Sequence, residues 1–340
     1  MPSYAIGVDL GGTNLRIAAV DVRGTLLEKT TLGTQVSRGR NVVVGDMVEA
    51  IRALALKLGR SGELMGIGIA VPGIIEMETG IMRKSPNLPD WTDYPVRSEI
   101  EKALGTSVVL ENDANAAALG EKWQGAARDI QSMCMLTLGT GVGGGIVLDG
   151  KVWHGMTGMA GEIGHMNVEP DGYACGCGSI GCLEQYASAT AVVRMAREAV
   201  ETGVDTALRR AIEPGSEEFN SRVVFQLAIQ GDPMAQQIFD RVGRSLGRKI
   251  ADLVNLLNLP MYVIGGGVSS AWEAFSPALF DELRKRSLVY IATTPEHPDK
   301  ASPRSKQTIV TRALLGSDAG LFGAARLPLQ QMETVPTPSL

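Results

Sequence analysis

Two segments of this 340-residue sequence share one pattern, in which an apolar strand, a glycine turn and a second strand follow one another. Short apolar runs bounded by turn residues are typical of buried strands. The predicted strands lie at residues 4–8 and 15–20 in the first copy and at 133–138 and 144–148 in the second. The repeat indicates an internal duplication, in which each copy opens with a strand, a glycine turn and a second strand.

Helical periodicity separates the predicted strands. Apolar residues recur at helical spacing over residues 43–58 and again over residues 234–257. Further strands are predicted at 67–71, 108–110 and 261–264. Strands that alternate with helices predict an α/β architecture. Because 340 residues exceed what one core usually supports, we expect two domains.

The composition argues against polyanionic and membrane partners. The formal net charge is −5 and hydrophobic residues make up 44% of the chain, so we expect a globular protein with no general attraction for nucleic acid. The sequence has no run of about 20 apolar residues that would cross a bilayer, and its N-terminus lacks the pattern of an export signal. We therefore expect a cytoplasmic protein that binds neither nucleic acid nor a membrane.

The first glycine turn has the features of a phosphate-binding loop. Asp9 ends the first predicted strand, and Gly11, Gly12, Thr13 and Asn14 follow it. Such a turn exposes backbone N–H groups, and glycine lets a phosphate approach where a Cβ would clash. Asp9 is suitably placed to act on a magnesium ion, directly or through water. A hairpin turn that binds nothing would use the same residues, so the turn alone leaves both interpretations open.

The second turn is richer in glycine, with five glycines in the seven positions from 139 to 145. Each glycine weakens a sheet by roughly 1 kcal/mol, which indicates that something needs the space. The order strand-turn-strand argues against a Rossmann dehydrogenase, in which the glycines open a helix. A third glycine run follows the strand at 261–264 and suits either a nucleoside lying over the backbone or a plain strand-to-helix turn. The residues of these two turns are Gly139, Thr140, Gly141, Gly265, Gly266 and Gly267.

A candidate catalytic carboxylate follows the strand at 108–110. Asp113 comes directly after Glu111-Asn112 and before an alanine-rich helical segment, so it could cap that helix by accepting backbone N–H bonds. Its place at the end of a strand, between two candidate phosphate turns, favours catalysis. A carboxylate with an ordinary pKa can orient a substrate hydroxyl and accept its proton as the bond to phosphorus develops. Asn112 can both donate and accept hydrogen bonds, as discrimination among substrate hydroxyls requires.

Three cysteines and a histidine form a candidate metal site. His165, Cys175, Cys177 and Cys182 match the Cys₃His set of a closed structural zinc site, which leaves no position for a catalytic water. Three buried thiols beside a chance histidine are the alternative. The fourth cysteine, Cys134, lies in an apolar run and is expected to pack as a small hydrophobic residue.

Two glutamates accompany the candidate zinc ligands. Glu162 lies three residues before His165, and Glu184 lies two residues after Cys182. Both could be ordinary surface residues, but their positions beside metal ligands favour a role as acceptors for substrate hydroxyls. One ring nitrogen of His165 would bind zinc, and the other would be free to donate a hydrogen bond to a substrate oxygen.

The three glycine runs resemble the first phosphate, second phosphate and adenosine motifs of the superfamily that contains actin, Hsp70 and the sugar kinases. The matching segments are residues 9–16, 138–141 and 265–267. The resemblance implies an α/β fold of the two-domain actin-like ATPase (ribonuclease H-like) type, with ATP and Mg²⁺ bound in a cleft between the domains.

A domain division follows from this resemblance. We expect a smaller N-terminal domain at 1–115, to which a C-terminal helix at about 312–327 belongs. A larger C-terminal domain with the zinc loop would occupy 116–311. The proline-containing residues 328–340 are expected to form a loose tail.

The metal-binding segment narrows the resemblance to one family. Residues 162–165 and 175–184 are similar to the signature of the ROK family (repressors, open reading frames, kinases), and residues 111–121 are most similar to its bacterial glucokinases. The resemblance spans nearly the whole chain. It implies Asp113 as the base and, as sugar contacts, Asn87, Asn112, Asp113, Glu162, His165 and Glu184.

The reaction implied by the resemblance is transfer of the γ-phosphoryl group of ATP to the 6-hydroxyl of glucose by a glycolytic enzyme. The enzyme would be a homodimer that uses Mg²⁺ and carries structural Zn²⁺. One alternative is a kinase for another hexose, such as N-acetylglucosamine, N-acetylmannosamine, fructose or mannose. The other is a sugar-responsive regulator of the same family, which would carry an N-terminal helix-turn-helix; a first strand that begins at about Tyr4 argues against it.

Overall fold

A computed structural model describes residues 3–60, 62–213, 219–294 and 307–334 of the chain. The chain divides into two compact units of nearly equal size. The first unit comprises Met1–Gln131, Gly145–Gly161 and Ser317–Leu340, and the second comprises Ser132–Gly144 and Glu162–Gly316. No helix within the described ranges combines the length and the apolar character needed to span a bilayer.

The first unit contains, among its described residues, a five-stranded sheet, a separate two-stranded sheet and four α-helices. The strands of the larger sheet are β1 (Ser3–Leu10), β2 (Asn14–Asp21), β3 (Leu26–Gly33), β4 (Glu63–Val71) and β7 (Val109–Asn112). The smaller sheet pairs β5 (Ile74–Glu76) with β6 (Ile81–Lys84). The helices are α1 (Arg40–Leu58), α2 (Val96–Leu104), α3 (Asp113–Gln124) and α11 (Ala319–Thr334).

The larger sheet has the strand order β3-β2-β1-β4-β7. Strands β1, β2 and β3 pair antiparallel, whereas β4 pairs parallel with both β1 and β7. In the ladders Asp9 pairs with Ala70 and Val71 pairs with Asn112, so β1, β4 and β7 end at the same edge. Asp9 and the start of α3 therefore share the carboxyl edge of this sheet, where ligands of open α/β sheets bind.

The core of the first unit confirms the periodicity found in the sequence. Alternate residues of β1 and β2, such as Ile6, Val8 and Ile17, are fully buried. Helix α1 buries the predicted face, which includes Met47 and Ile51, against the same cluster. Apolar side chains that recur every three to four residues on a helix meet a sheet face in this way.

The second unit has a sheet of similar plan and a larger set of helices. The strands of this sheet are β8 (Met133–Leu138), β9 (Val142–Leu148), β11 (Met261–Gly265) and β12 (Ile309–Arg312), and β9 continues into the first unit from Gly145. The short strand β10 (Lys151–Val152) pairs with β9, where the chain returns to the first unit. The helices are α4 (Glu184–Ala187), α5 (Ala189–Glu201), α6 (Leu208–Ile212), α7 (Ser221–Ile229), α8 (Pro233–Leu257), α9 (Trp272–Arg286) and α10 (Leu288–Thr293).

The second sheet has the order β10-β9-β8-β11-β12. Both sheets therefore place three consecutive strands in reverse order, followed by two strands from later in the chain. This shared order confirms the internal duplication predicted from the strand-turn-strand repeat. Strands β8 and β11 are parallel, and Thr137 pairs with Gly265, so the second and third glycine turns leave the sheet at the same edge.

The predicted domain boundaries differ from the division into units. A boundary at 115/116 would cut helix α3, which is continuous from Asp113 to Gln124, and the first unit extends through Gln131. The C-terminal helix begins later than predicted, at Ala319. Residues 309–312 form β12, which pairs with β11 in the second unit.

The expectation of a loose tail from residue 328 is wrong for residues 328–334. Helix α11 continues through Pro328 to Thr334, although proline removes one N–H donor from the helical ladder. Pro328 lies against β4, where a Cβ on Gly66 would come within 2.6 Å of the Pro328 Cβ. A Cβ on Gly68 would clash with the Ala324 carbonyl oxygen. Close packing on these two strand glycines explains why the helix persists. Residues 335–340 lie outside the described residues.

Candidate active site

The first glycine turn joins β1 to β2 and is held from within and from β3. The Gly11 N–H donates to the Asn14 carbonyl at 2.8 Å. From the end of β3, the Thr34 hydroxyl donates to the Gly11 carbonyl at 2.6 Å, and the Thr34 N–H donates to the Thr13 carbonyl at 2.9 Å. The predicted members of this turn therefore form one ordered loop.

Asn87 lies against this turn. A Cβ on Gly12 would meet the Asn87 Cβ at 3.2 Å, which is tighter than an ordinary van der Waals contact. Any larger residue at position 12 would therefore press against Asn87. The structure brings together a predicted phosphate-binding residue and a predicted sugar contact.

Asp9 is largely buried at the end of β1, with 14% of its side chain exposed. Burial raises the pKa of the Asp9 carboxyl, and the Arg16 guanidinium 3.2 Å away opposes that effect. Arg16 faces Asp9 directly across the β1–β2 ladder. A buried carboxylate gains further stabilisation of its charged form from a nearby cation, which suits the predicted role beside magnesium.

The N-cap residue of helix α3 is Asn112, one position earlier than expected, although Asp113 Oδ1 also accepts from the Ala114 N–H at 2.9 Å. The Asn112 Oδ1 accepts from Ala114 N–H at 2.9 Å and from Asn115 N–H at 3.2 Å. Its Nδ2 donates to the Gly73 carbonyl at 3.1 Å, so a sugar contact by Asn112 would come from the second Nδ2 hydrogen. Asp113 is the first residue of the helix, where the helix dipole favours a carboxylate.

The second glycine turn joins β8 to β9 and is held by the start of α5. The Gly139 N–H donates to the Gly141 carbonyl at 2.9 Å. The Ala189 N–H donates to the Gly139 carbonyl at 2.8 Å, and the Thr190 hydroxyl donates to the Thr140 carbonyl at 2.8 Å. The two copies of the turn thus share their connection between strands but differ in what fixes them.

Glu184 contacts this second turn. Its Oε2 accepts from the Val142 N–H at 3.0 Å, and a Cβ on Gly141 would clash with the same oxygen. The structure therefore places a predicted sugar contact against a predicted phosphate turn. The bond to Val142 fixes one carboxylate oxygen and directs the side chain.

The third glycine run has a packing reason at two of its three positions. Gly266 has a φ of +82°, and a Cβ there would lie 2.5 Å from the Leu138 carbonyl. A Cβ on Gly265 would lie 2.5 Å from the Met135 side chain. Gly267, by contrast, has open space on its side-chain face. Both of the predicted uses, a strand-to-helix turn and a backbone platform, therefore fit this segment.

The four predicted metal ligands converge within the second unit. Their ligand atoms all lie within 4.8 Å of one another. His165 Nδ1 and Cys175 Sγ are 3.7 Å apart, and so are Cys177 Sγ and Cys182 Sγ. A tetrahedral zinc ion with Zn–S bonds of about 2.3 Å separates its sulfur ligands by about 3.8 Å. The residues present therefore fit a closed Cys₃His metal site.

His165 presents its two ring nitrogens to different neighbours. Nδ1 faces the thiol cluster, whereas Nε2 lies 3.9 Å from the Glu162 Oε2. The His165 side chain is 36% exposed and that of Glu162 is 48% exposed. Metal binding through Nδ1 would leave an Nε2–H donor beside a carboxylate acceptor, which is a suitable pair for a hydroxyl-bearing ligand.

The sequence model of the ROK family matches residues 5–331. The chain belongs to the ROK family. The glucokinase of Thermotoga maritima is 40% identical to this ROK chain over 324 residues, which cover 95% of the chain and 96% of that protein.

Two solved structures extend the comparison. The ROK hexokinase from Thermus thermophilus is 34% identical and has a TM-score of 0.78, covering 97% of this chain and 99% of that one. The ROK family glucokinase from Streptomyces griseus, solved with glucose and AMPPNP, is 34% identical and has a TM-score of 0.75. The aligned region covers 96% of this ROK chain and 99% of the Streptomyces griseus chain. The α/β fold of the actin-like ATPases is thereby confirmed.

Two residues that the sequence did not single out form a hydrogen bond in the structure of the ROK chain. Glu111, at the end of β7, is 3% exposed, and its Oε2 lies 2.7 Å from His154 Nε2. Hydrogen bonding to Glu111 raises the pKa of His154, against the opposing effect of burial. A glutamate that ends an apolar strand was a signal for Glu111. The sequence carried no signal for its partner, which lies 43 residues away.

Proposed function

We propose that this ROK chain is an ATP-dependent glucokinase, which transfers the γ-phosphoryl group of ATP to the 6-hydroxyl of glucose. The observation that carries the proposal is the carboxyl edge of the first sheet. Asp9 is the penultimate residue of β1 there, beside the first glycine turn, and Asp113 begins α3 after β7. A phosphate turn, a carboxylate for magnesium and a candidate base are the parts that phosphoryl transfer from a nucleotide requires.

Asp113 acts as the base in this proposal. The bond from the sugar O6 to the γ-phosphorus forms while the bond from that phosphorus to the bridging oxygen of ADP breaks. The O6 proton passes to the Asp113 carboxylate as this happens. The N-terminus of α3 favours the charged form of Asp113 before transfer.

The glycine turns would bind the nucleotide. The turns at 11–14 and 139–141 offer backbone N–H groups to phosphates, and Gly267 offers open space to a nucleoside. Asp9 would hold Mg²⁺, directly or through water. Magnesium, when bound, offsets the charge that spreads over the transferring phosphoryl group.

The residues that would contact the sugar are Asn87, Asn112, Glu162, His165 and Glu184. The paired acceptor and donor of Glu162 and His165 Nε2 support this assignment. We further propose that His165 Nδ1 and the three thiols hold a structural Zn²⁺ ion, which orders the loop that carries the sugar contacts.

The proposal also covers the cellular location and the oligomeric state of the enzyme. Three clustered thiols are typical of metal binding in a reducing compartment, which supports a cytoplasmic location. The resemblance to family members supports a homodimer, and sedimentation of the purified protein measures that state.

The test is a coupled assay across hexoses with three phosphoryl donors. Glucose, N-acetylglucosamine, N-acetylmannosamine, fructose and mannose are each offered with ATP, ADP or polyphosphate. We expect the largest kcat/KM with glucose and ATP. A larger value for another hexose would assign the chain to the alternative kinase, and glucose binding without turnover would favour the regulator.

A further inference from the structure

Glu111 is a charged group buried one residue before Asn112 and two residues before Asp113. Its side chain is 3% exposed, so its charge needs partners within the protein. Its Oε1 accepts from the Asn112 N–H at 2.9 Å and from the Asn115 Nδ2 at 3.1 Å. By accepting these two hydrogen bonds, Oε1 fixes the backbone of Asn112, just before Asp113, and the side chain of Asn115, two residues after it.

The second oxygen of Glu111 is held by His154. The Oε2 lies 2.7 Å from His154 Nε2, a length typical of a charge-assisted hydrogen bond. His154 belongs to the segment after β10, and its carbonyl accepts from the Ala160 N–H at 3.1 Å. The loop after β10, which is remote in sequence, thereby fixes the orientation of the Glu111 carboxylate, two residues before the proposed base Asp113.

We propose that His154 is a positioning residue for phosphoryl transfer. It holds Glu111 in the orientation that fixes the start of α3, and through Glu111 it places Asp113 against the substrate hydroxyl. The inference rests on the proposed function, because it assigns the residue that aligns the base of that reaction. His154 contacts Glu111 and is not itself a catalytic residue.

Because His154 can gain or lose a proton, the strength of its hydrogen bond to Glu111 should depend on pH. Glu111 is the charged group that acts on His154, and it raises the pKa of His154 above the ordinary value. A histidine with a raised folded pKa contributes its full stabilisation below the unfolded pKa and loses it as pH rises through the folded pKa. The charge-assisted bond in the wild type therefore weakens as the solution becomes alkaline.

The Glu111→Gln variant reverses that dependence. The amide that this substitution introduces would keep an oxygen for the Asn112 and Asn115 donors and would turn an N–H₂ group towards His154. Neutral His154 can accept a bond from that group, whereas protonated His154 cannot. The ratio of kcat for Glu111→Gln to kcat for the wild type should therefore rise with pH. Taking this ratio cancels ionisations that both proteins share.

The experiment measures kcat and both KM values for the wild type, Glu111→Gln, His154→Ala, His154→Gln and Lys151→Gln. We expect His154→Ala to lower kcat about 10- to 100-fold, because misplacement of a reacting group by about 1 Å costs that much. The KM for ATP should stay within about twofold. His154→Gln retains an uncharged donor and should fall between His154→Ala and the wild type. Lys151→Gln removes an exposed cation three residues away and should leave kcat unchanged.

Two results would overturn the positioning role. One is an unchanged kcat in folded His154→Ala, and the other is a pH-independent kcat ratio for Glu111→Gln. If His154→Ala does not fold, the Glu111→Gln ratio and the His154→Gln kcat decide the question. A wild type that phosphorylates no hexose contradicts the proposed function instead. An active wild type that does not respond to these substitutions contradicts the positioning role alone.

Discussion

The two sheets share a strand order but carry different groups at their carboxyl edges. The carboxyl edge of the first sheet holds Asp9 and Asp113, and the buried Glu111 lies two residues before Asp113. In the second, the turn at 139–141 lies against Glu184, which follows the metal-ligand loop by two residues. Duplication has kept the strand-turn-strand framework, while the flanking side chains have diverged. The first copy carries the carboxylates proposed as base and magnesium ligand, and the second carries the proposed metal site and three of the proposed sugar contacts.

The largest effect that this comparison predicts is in the first copy. Asp113→Asn should lower kcat about 1,000-fold, within the range for loss of a general base, and leave thermal unfolding nearly unchanged. Steady-state kinetics with glucose and ATP measure it. The matched control is Asp129→Asn, an exposed carboxylate in the same unit, which should retain wild-type kcat. Near-normal turnover by Asp113→Asn would remove Asp113 from the mechanism.

Loss of the metal should affect the second copy. Cys182→Ser removes one of four ligands, so the purified variant should lose its zinc and bind glucose more than about tenfold more weakly. Elemental analysis should find about one zinc per wild-type chain, and calorimetry measures glucose and nucleotide binding separately. Cys134→Ala alters a buried cysteine outside the cluster and should keep the metal. Active, carefully purified wild type without zinc would disprove the structural-metal assignment.

A smaller effect should distinguish sugar recognition from phosphate binding. Glu184→Gln should raise the KM for glucose about tenfold, as expected when a hydrogen bond to a charged group is lost. The KM for ATP should change less, even though Glu184 contacts the second turn through Val142. An effect confined to ATP would assign Glu184 to the phosphates. Both copies would then bind phosphates, and their functions would differ less than we propose.

The last prediction concerns the stability of the first unit rather than its activity. Gly68→Ala would place a Cβ against the Ala324 carbonyl oxygen, far inside van der Waals contact, so α11 would have to move. We expect a loss of about 1–3 kcal/mol in the free energy of unfolding, measured with denaturant. Gly45→Ala, in α1, meets open space and should stabilise the protein slightly. A Gly68→Ala variant as stable as Gly45→Ala would contradict the close packing.

The sequence predicted the features that local pattern determines. Seven strands (β1, β2, β4, β7, β8, β9 and β11), the glycine turns and the long helix α8 were recognisable because apolar periodicity and glycine placement act over a few residues. The four candidate metal ligands lie close together in the chain, so their convergence was also predictable. The capping role of Asn112 was missed because Asn112 and Asp113 are both good N-caps and differ by one position.

Contacts between distant segments were beyond the sequence. Pro328 predicted the end of a helix, but packing on Gly66 and Gly68 of β4 outweighs the lost hydrogen bond. The bond between Glu111 and His154 joins residues 43 positions apart. No spacing rule connects such pairs, because their proximity depends on how the strands and helices pack.

The most direct test of the central claim is the position at which the sugar is phosphorylated. Purified protein is incubated with glucose and ATP, and ¹H and ³¹P NMR spectra identify the product. We expect glucose 6-phosphate and ADP in equal amounts, with no transfer to 6-deoxyglucose, which lacks the acceptor hydroxyl. Phosphorylation at another carbon, or turnover of 6-deoxyglucose, would contradict it.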